Sequence, residues 1–221
     1  MTPKSLSGVI FDMDGVLLDS EPFIAEAGCR MLADRYAVQA VHADFLPFVG
    51  MGEDRFLGGV AAKYGKTLNL PVDKVYTYEI YLKLIRGKLG PLPGALEFIR
   101  KCKARRLKLA VASSADRMKV DGNLAALGLA GHTFDAVITG SDVERKKPDP
   151  EIFIAAAKSM GVPAQRCLVV EDAVTGIQAG KAAGAKCLGL CTSFKPEALK
   201  QAGADWTAAN LAEAPAAATG W

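Results

Sequence analysis

Five short apolar runs recur along the chain: GVIF (8–11), LKLAVA (107–112), DAVIT (135–139), CLVVE (167–171) and CLGL (187–190). Each is too short for a helix and rich in Val, Ile and Leu, as strands buried on both faces are. Helical patterns lie between them. GALEFIRKCKARR (94–106) sets Leu96, Ile99 and Cys102 roughly on one stripe, while DRMKVDGNLAALG (116–128) and PEIFIAAAKSMG (150–161) each run into a Gly, a common helix stop. TGIQAGKAAG (175–184) is shorter. Strand and helix taking turns predicts an α/β fold, a doubly wound parallel sheet with helices on both faces.

Residues from about 20 to 90 break the alternation and read as helices only, with Ser20 placed to cap the first and Pro22 in its opening turn. The simplest organisation is a Rossmann-like core of residues 1–19 and 91–221 with an inserted helical cap domain of residues 20–90. The chain returns through GPLPG (90–94), whose glycines and prolines suit a linker. The last ten residues are low in complexity and are expected to fray.

Half of the 221 residues are apolar and 23% are charged, enough for a full core. A net charge of +3 gives no reason to expect nucleic acid or an anionic membrane as partner. No apolar run reaches spanning length. Five cysteines without framework spacing point to reduced thiols in a cytoplasmic setting. A monomer is the expectation.

In an open parallel sheet, ligands gather at the carboxyl ends of the strands. Asp12 and Asp14 follow the first run, and Ser113 and Ser114 the second. Ser141, Asp142, Lys146 and Lys147 come after the third, and Glu171 and Asp172 close the fourth. Clustered carboxylates repel one another unless something positive holds them. An all-oxygen set suits a hard divalent ion, Mg²⁺ first. A cation, a lysine and a hydroxyl together are what a phosphoryl group needs for its charge to be neutralised and held. Asp142 reads as a turn cap, Lys146 as a surface lysine, and Ser114 first as a capping hydroxyl and second as a substrate ligand. His42 and His132 stand without a partner at ligand spacing, and the cysteines read as small core residues.

DMDGV at 12–16, VASS at 111–114, KP at 147–148 and EDAVTGIQAG at 171–180 resemble, in order and spacing, the four motifs of the haloacid dehalogenase superfamily. The branch most resembled is that of β-phosphoglucomutase and related sugar-phosphate phosphatases, in which a helical cap follows the first motif. The resemblance implies an Mg²⁺-dependent phosphatase acting on small phosphomonoesters through an aspartyl phosphate. It implies Asp12 as nucleophile and Asp14 as general acid and base, the latter also giving its backbone carbonyl to the metal. Ser113 would hydrogen-bond the phosphoryl group, Lys147 would neutralise charge, Asp172 would bind Mg²⁺, and Glu171 would support the metal. In the cap loop VGMGEDRF (49–56), Gly50, Glu53 and Arg55 are the substrate-binding candidates. A dehalogenase would have no use for Asp14. A mutase is the alternative, yet Glu53 stands where the mutase pattern has an arginine, and Ile24 where it has a histidine.

Overall fold

The first apolar run forms β1 (Gly8–Phe11), buried at all four positions. The other runs give β2 (Lys108–Ala112), β3 (Ala136–Ile138), β4 (Cys167–Glu171) and β5 (Lys186–Leu190). A sixth strand, β6 (Trp206–Ala208), adds to the edge. All pair in parallel in the order β3-β2-β1-β4-β5-β6. The chain winds from β1 to one edge, returns to the centre and winds to the other, the doubly wound course of a Rossmann-like sheet. This computed structural model describes residues 6–48 and 52–220.

The helices in chain order are α1 (Glu21–Tyr36), α2 (His42–Phe45), α3 (Glu53–Lys63), α4 (Leu70–Ile85), α5 (Ala95–Ala104), α6 (Arg117–Ala126), α7 (Glu151–Met160), α8 (Val174–Ala182), α9 (Pro196–Gln201) and α10 (Ala216–Thr219). Two compact units emerge. One consists of Met1–Asp19, Gly90–Arg117 and Leu129–Trp221, and the other of Ser20–Leu89 and Met118–Gly128. The second therefore takes in most of α6, which follows β2 in sequence.

In the first unit, alternate strand residues serve opposite faces. Ile10, Ala110, Val169 and Cys187 pack with Phe153, Ala156, Ile177 and Leu199 from α7, α8 and α9. Phe11 turns to the other face and meets the Phe98 ring of α5 edge-on, with centroids 6.0 Å apart. Helices thus cover both faces. In the second unit α1 and α4 pack together, and the rings of Phe45 and Phe56 lie 4.8 Å apart. The fully buried Asp73 is held there by the Tyr36 hydroxyl (2.5 Å), the Asn69 N–H (2.8 Å) and Arg35 (3.1 Å). α6 joins this unit through polar groups: the Tyr81 hydroxyl donates to Asn123 Oδ1, and Lys119 pairs with Glu53 at 3.4 Å.

Four expectations change. Leu96 is 43% exposed, and α5 instead buries Ala95, Phe98, Ile99 and Cys102, the better helical stripe. Ser20 occupies the cap position of α1 in a helical conformation and its side chain makes no capping bond. α6 begins at Arg117, so Asp116 rather than Ser114 directly precedes it. The C-terminal stretch forms α10, with Ala218 buried, where fraying was expected. Among the described residues no helix is long and apolar enough to cross a membrane.

Candidate active site

Phe11 pairs with Val111 on one side and Val170 on the other. One step further along this register, Asp12, Ala112 and Glu171 stand side by side at three strand ends. The Asp12 N–H still donates to Val170 O at 2.9 Å, which holds the aspartate in line with β4. Lys147 reaches all three. Its Nζ lies 2.5 Å from Asp12 Oδ1, 2.6 Å from Glu171 Oε1 and 3.1 Å from the Ala112 carbonyl oxygen. Phe153 of α7 lies beneath, its ring centroid 4.9 Å from Nζ, and gives the ammonium an aromatic face.

Glu171 is fully engaged. Oε1 takes Lys147, and Oε2 accepts from the backbone N–H groups of Asp172 and Ala173, both at 2.9 Å. Gly176 of α8 permits this, because a Cβ there would fall 1.9 Å from the Glu171 carboxyl. Asp172 accepts from the Ser193 hydroxyl. Gly15, at φ +73°, packs so close that an added Cβ would lie 2.0 Å from Asp172 Oδ2. Asp14 sits in the turn closed by the Gly15 N–H donating to Leu18 O at 2.8 Å.

Burial pushes the Asp12 carboxyl up to about 7, with Lys147 pulling against it and Glu171 adding to it. Asp172 is pushed up to about 8 by burial first, then by Glu171 and Asp12. Burial acts to lower the Lys147 ammonium, but its two carboxylate neighbours outweigh that and hold it above its usual value. Three carboxylates with one ammonium form a negatively overcharged cluster.

Ser113 follows β2, is 2% exposed, and accepts at Oγ from the Ala115 N–H at 3.2 Å. The Ser114 carbonyl lies against Gly140. Asp142 caps the turn at Thr139, accepting from its N–H and its hydroxyl at 2.7 Å, and Arg117 holds the same oxygen at 2.5 Å. Lys146 donates to the Gly140 carbonyl. Glu53 and Arg55 belong to the second unit, and Gly50 lies outside the described residues. All five cysteines are free and their thiols are pushed up by burial, Cys102 and Cys187 to about 12.

The profile of the haloacid dehalogenase-like hydrolases matches residues 6–184. The chain belongs to that family. It is an enzyme of the hydrolase class. Over 201 residues it is 46% identical to the protein SUPPRESSOR OF QUENCHING 1, chloroplastic, of Arabidopsis thaliana, covering 90% of this chain but only 19% of that protein's length. It is 31% identical to a phosphorylated carbohydrates phosphatase of Thermotoga maritima, with 90% and 92% of the two chains matched. The crystal structure of a putative β-phosphoglucomutase from Thermotoga maritima superposes with a TM-score of 0.75 at 31% identity, over 92% of this chain and 94% of that one.

Among the described residues no three His, Cys, Asp or Glu side chains are grouped to hold a metal by themselves. Mg²⁺ does not need that. It takes one or two carboxylates, other oxygens and several waters. Asp12 follows β1 and Asp172 follows the neighbouring β4, with Asp14 two residues beyond Asp12, and the surplus negative charge around Lys147 is compatible with a hard cation.

Three contributors escaped the sequence reading: Phe153, Thr192 and Ser193. Phe153 lies on a helical stripe and reads as core. Thr192 and Ser193 follow β5, so the same search for residues after each apolar run finds them once it is carried to the fifth run.

Proposed function

We propose that this chain is a Mg²⁺-dependent phosphatase that hydrolyses small phosphorylated metabolites, sugar phosphates foremost, through an aspartyl phosphate on Asp12. The observation that supports the reading is Lys147 bound at once to Asp12, Glu171 and the Ala112 carbonyl, which holds the Asp12 carboxyl beside a positive charge. The named phosphatase among its relatives supports the substrate class. In this reading residues 1–19 and 91–221 are the catalytic core and 20–90 the cap.

Asp12, Asp172 and the Asp14 carbonyl would hold Mg²⁺, whose charge offsets that of the phosphoryl oxygens. An Asp12 oxygen attacks phosphorus as the bond to the leaving oxygen breaks, and Asp14 gives that oxygen its proton. Asp14 then takes a proton from water, whose oxygen attacks the aspartyl phosphate and frees Asp12. Ser113 hydrogen-bonds the phosphoryl group. Glu171 acts on Lys147, which its Oε1 holds in place. Glu53 and Arg55 are our candidates for substrate choice, to be read as changes in KM. Five unpaired cysteines are consistent with a reducing, cytoplasmic compartment.

The test is a panel of sugar phosphates assayed for released phosphate with Mg²⁺ and with EDTA. Release confined to the Mg²⁺ arm is the expected result. Equal release in both arms overturns the metal-dependent reading.

A further inference from the structure

We propose that Thr192 and Ser193, on the loop after β5, are positioning residues for the cation site and act as a two-hydroxyl strap across it. The inference rests on the proposed Mg²⁺ site. Both residues lie beyond residue 184, where the family profile match ends, and outside the four motifs.

The strap holds two elements at once. The Ser193 hydroxyl donates to Asp172 Oδ2, and the Thr192 hydroxyl donates to the Gly15 carbonyl at 2.6 Å. Gly15 is therefore held through both peptide units that flank it: Thr192 holds the one that runs on to Val16, and the Gly15 N–H, donating to Leu18 O, holds the one shared with Asp14. That N–H shares a planar, trans peptide unit with the Asp14 carbonyl. Holding the N–H toward Leu18 turns the Asp14 carbonyl the opposite way and stops it rotating. The strap is anchored in turn where the Cys191 N–H donates to Ala208 O at 2.8 Å, tying it to β6.

The chemistry is that of an outer shell. A hydroxyl proton on Oδ2 leaves Asp172 Oδ1 as the oxygen with its lone pairs available to a hard cation. An added Cβ on Gly15 would lie 2.0 Å from Asp172 Oδ2 and 3.2 Å from Thr192 Oγ1, so carboxylate, turn and strap are already in contact. Fixing the carboxylate and the carbonyl before the cation arrives removes ordering cost from binding, and loss of such partners typically weakens metal affinity by roughly 10–100-fold. Thr192 and Ser193 are themselves exposed, so truncating them opens no core cavity.

Mg²⁺ is titrated calorimetrically into the whole chain without substrate, for wild type, Ser193→Ala, Thr192→Val and Ser193→Thr, with Asp172→Ala as the null control. Tm is measured for each in EDTA. The expected result is Mg²⁺ affinity at least tenfold weaker in Ser193→Ala and in Thr192→Val, wild-type affinity in Ser193→Thr, and an unchanged Tm in EDTA throughout. Wild-type affinity in the two truncated variants overturns the strap while leaving the cation site standing. So does a Tm in EDTA that falls in step with affinity, because that marks a structural role. A wild type that takes up no Mg²⁺ overturns the cation site and the strap with it.

Discussion

Lys147 binds two carboxylates and a carbonyl in a place with little water, so its removal leaves Asp12 and Glu171 buried without a counter-charge. Breaking a buried pair from one side costs about 3–5 kcal/mol. Lys147→Met is expected to lose turnover and to melt well below wild type, with part of the loss recovered at lower pH as the carboxyls take up protons. A wild-type melting curve would refute this. Asp12→Asn keeps the shape and removes the nucleophile while Lys147 stays paired with Glu171, so turnover is expected to vanish with Tm retained. Asp14→Asn is expected to slow both proton transfers by roughly 10²–10⁴. Steady-state kinetics with circular dichroism separates these outcomes, and an active Asp12→Asn variant would remove the covalent mechanism. Asp12, Glu171 and Asp172 were legible because charge at the end of a buried strand has no packing explanation, whereas Lys147, well past the end of β3, stood out only through the KP pair at 147–148. Ser193 was not, because a hydroxyl after a strand looks like ordinary turn chemistry.

Helices α8 and α2 each carry one feature that local pattern cannot explain. Gly176 lets α8 approach the Glu171 carboxyl, and Gly176→Ala would drive a Cβ into it. Overpacking of this kind costs about 1–3 kcal/mol. Both a lower Tm and a lower kcat are expected, and wild-type values of both would show that Glu171 can shift freely. On α2, Asp44 accepts from Lys63, from the Tyr64 hydroxyl at 2.6 Å and from the Val41 N–H at 2.9 Å, and these bonds hold its carboxyl down to about 2. A carboxyl with a depressed folded value adds stability above its ordinary 3.8 and loses it as pH falls toward about 2. Asp44→Asn should therefore melt lower than wild type near neutral pH, with the gap closing between those two values. A gap that stays constant with pH would contradict the assignment. The strands of the core were legible from their apolar runs almost residue for residue. β6 was not, because its three residues include only one that is buried.

Strand order and the grouping of α6 with the helical unit depend on contacts between distant residues, such as Tyr81 with Asn123, 42 positions apart, and a periodicity read in short windows carries no such information. The same grouping bears on which molecule receives the phosphoryl group. A mutase must return phosphate to a bound sugar, so it needs a cation to grip the phosphate already there, and a bidentate arginine suits that grip. The resemblance assigns that position to Glu53, which pairs with Lys119 at 3.4 Å, with both side chains at most 10% exposed. Ile24, at the histidine position of the mutase pattern, is 3% exposed and apolar. Arg55 is exposed on the first turns of α3. A carboxylate and its own counter-ion add no net positive charge for a second phosphate, so water is the expected acceptor. With β-glucose 1-phosphate and catalytic glucose 1,6-bisphosphate, free phosphate should form and glucose 6-phosphate should not outpace it. Glucose 6-phosphate formed faster than free phosphate would overturn the hydrolase reading, and loss of that activity in Arg55→Ala would assign the grip to Arg55.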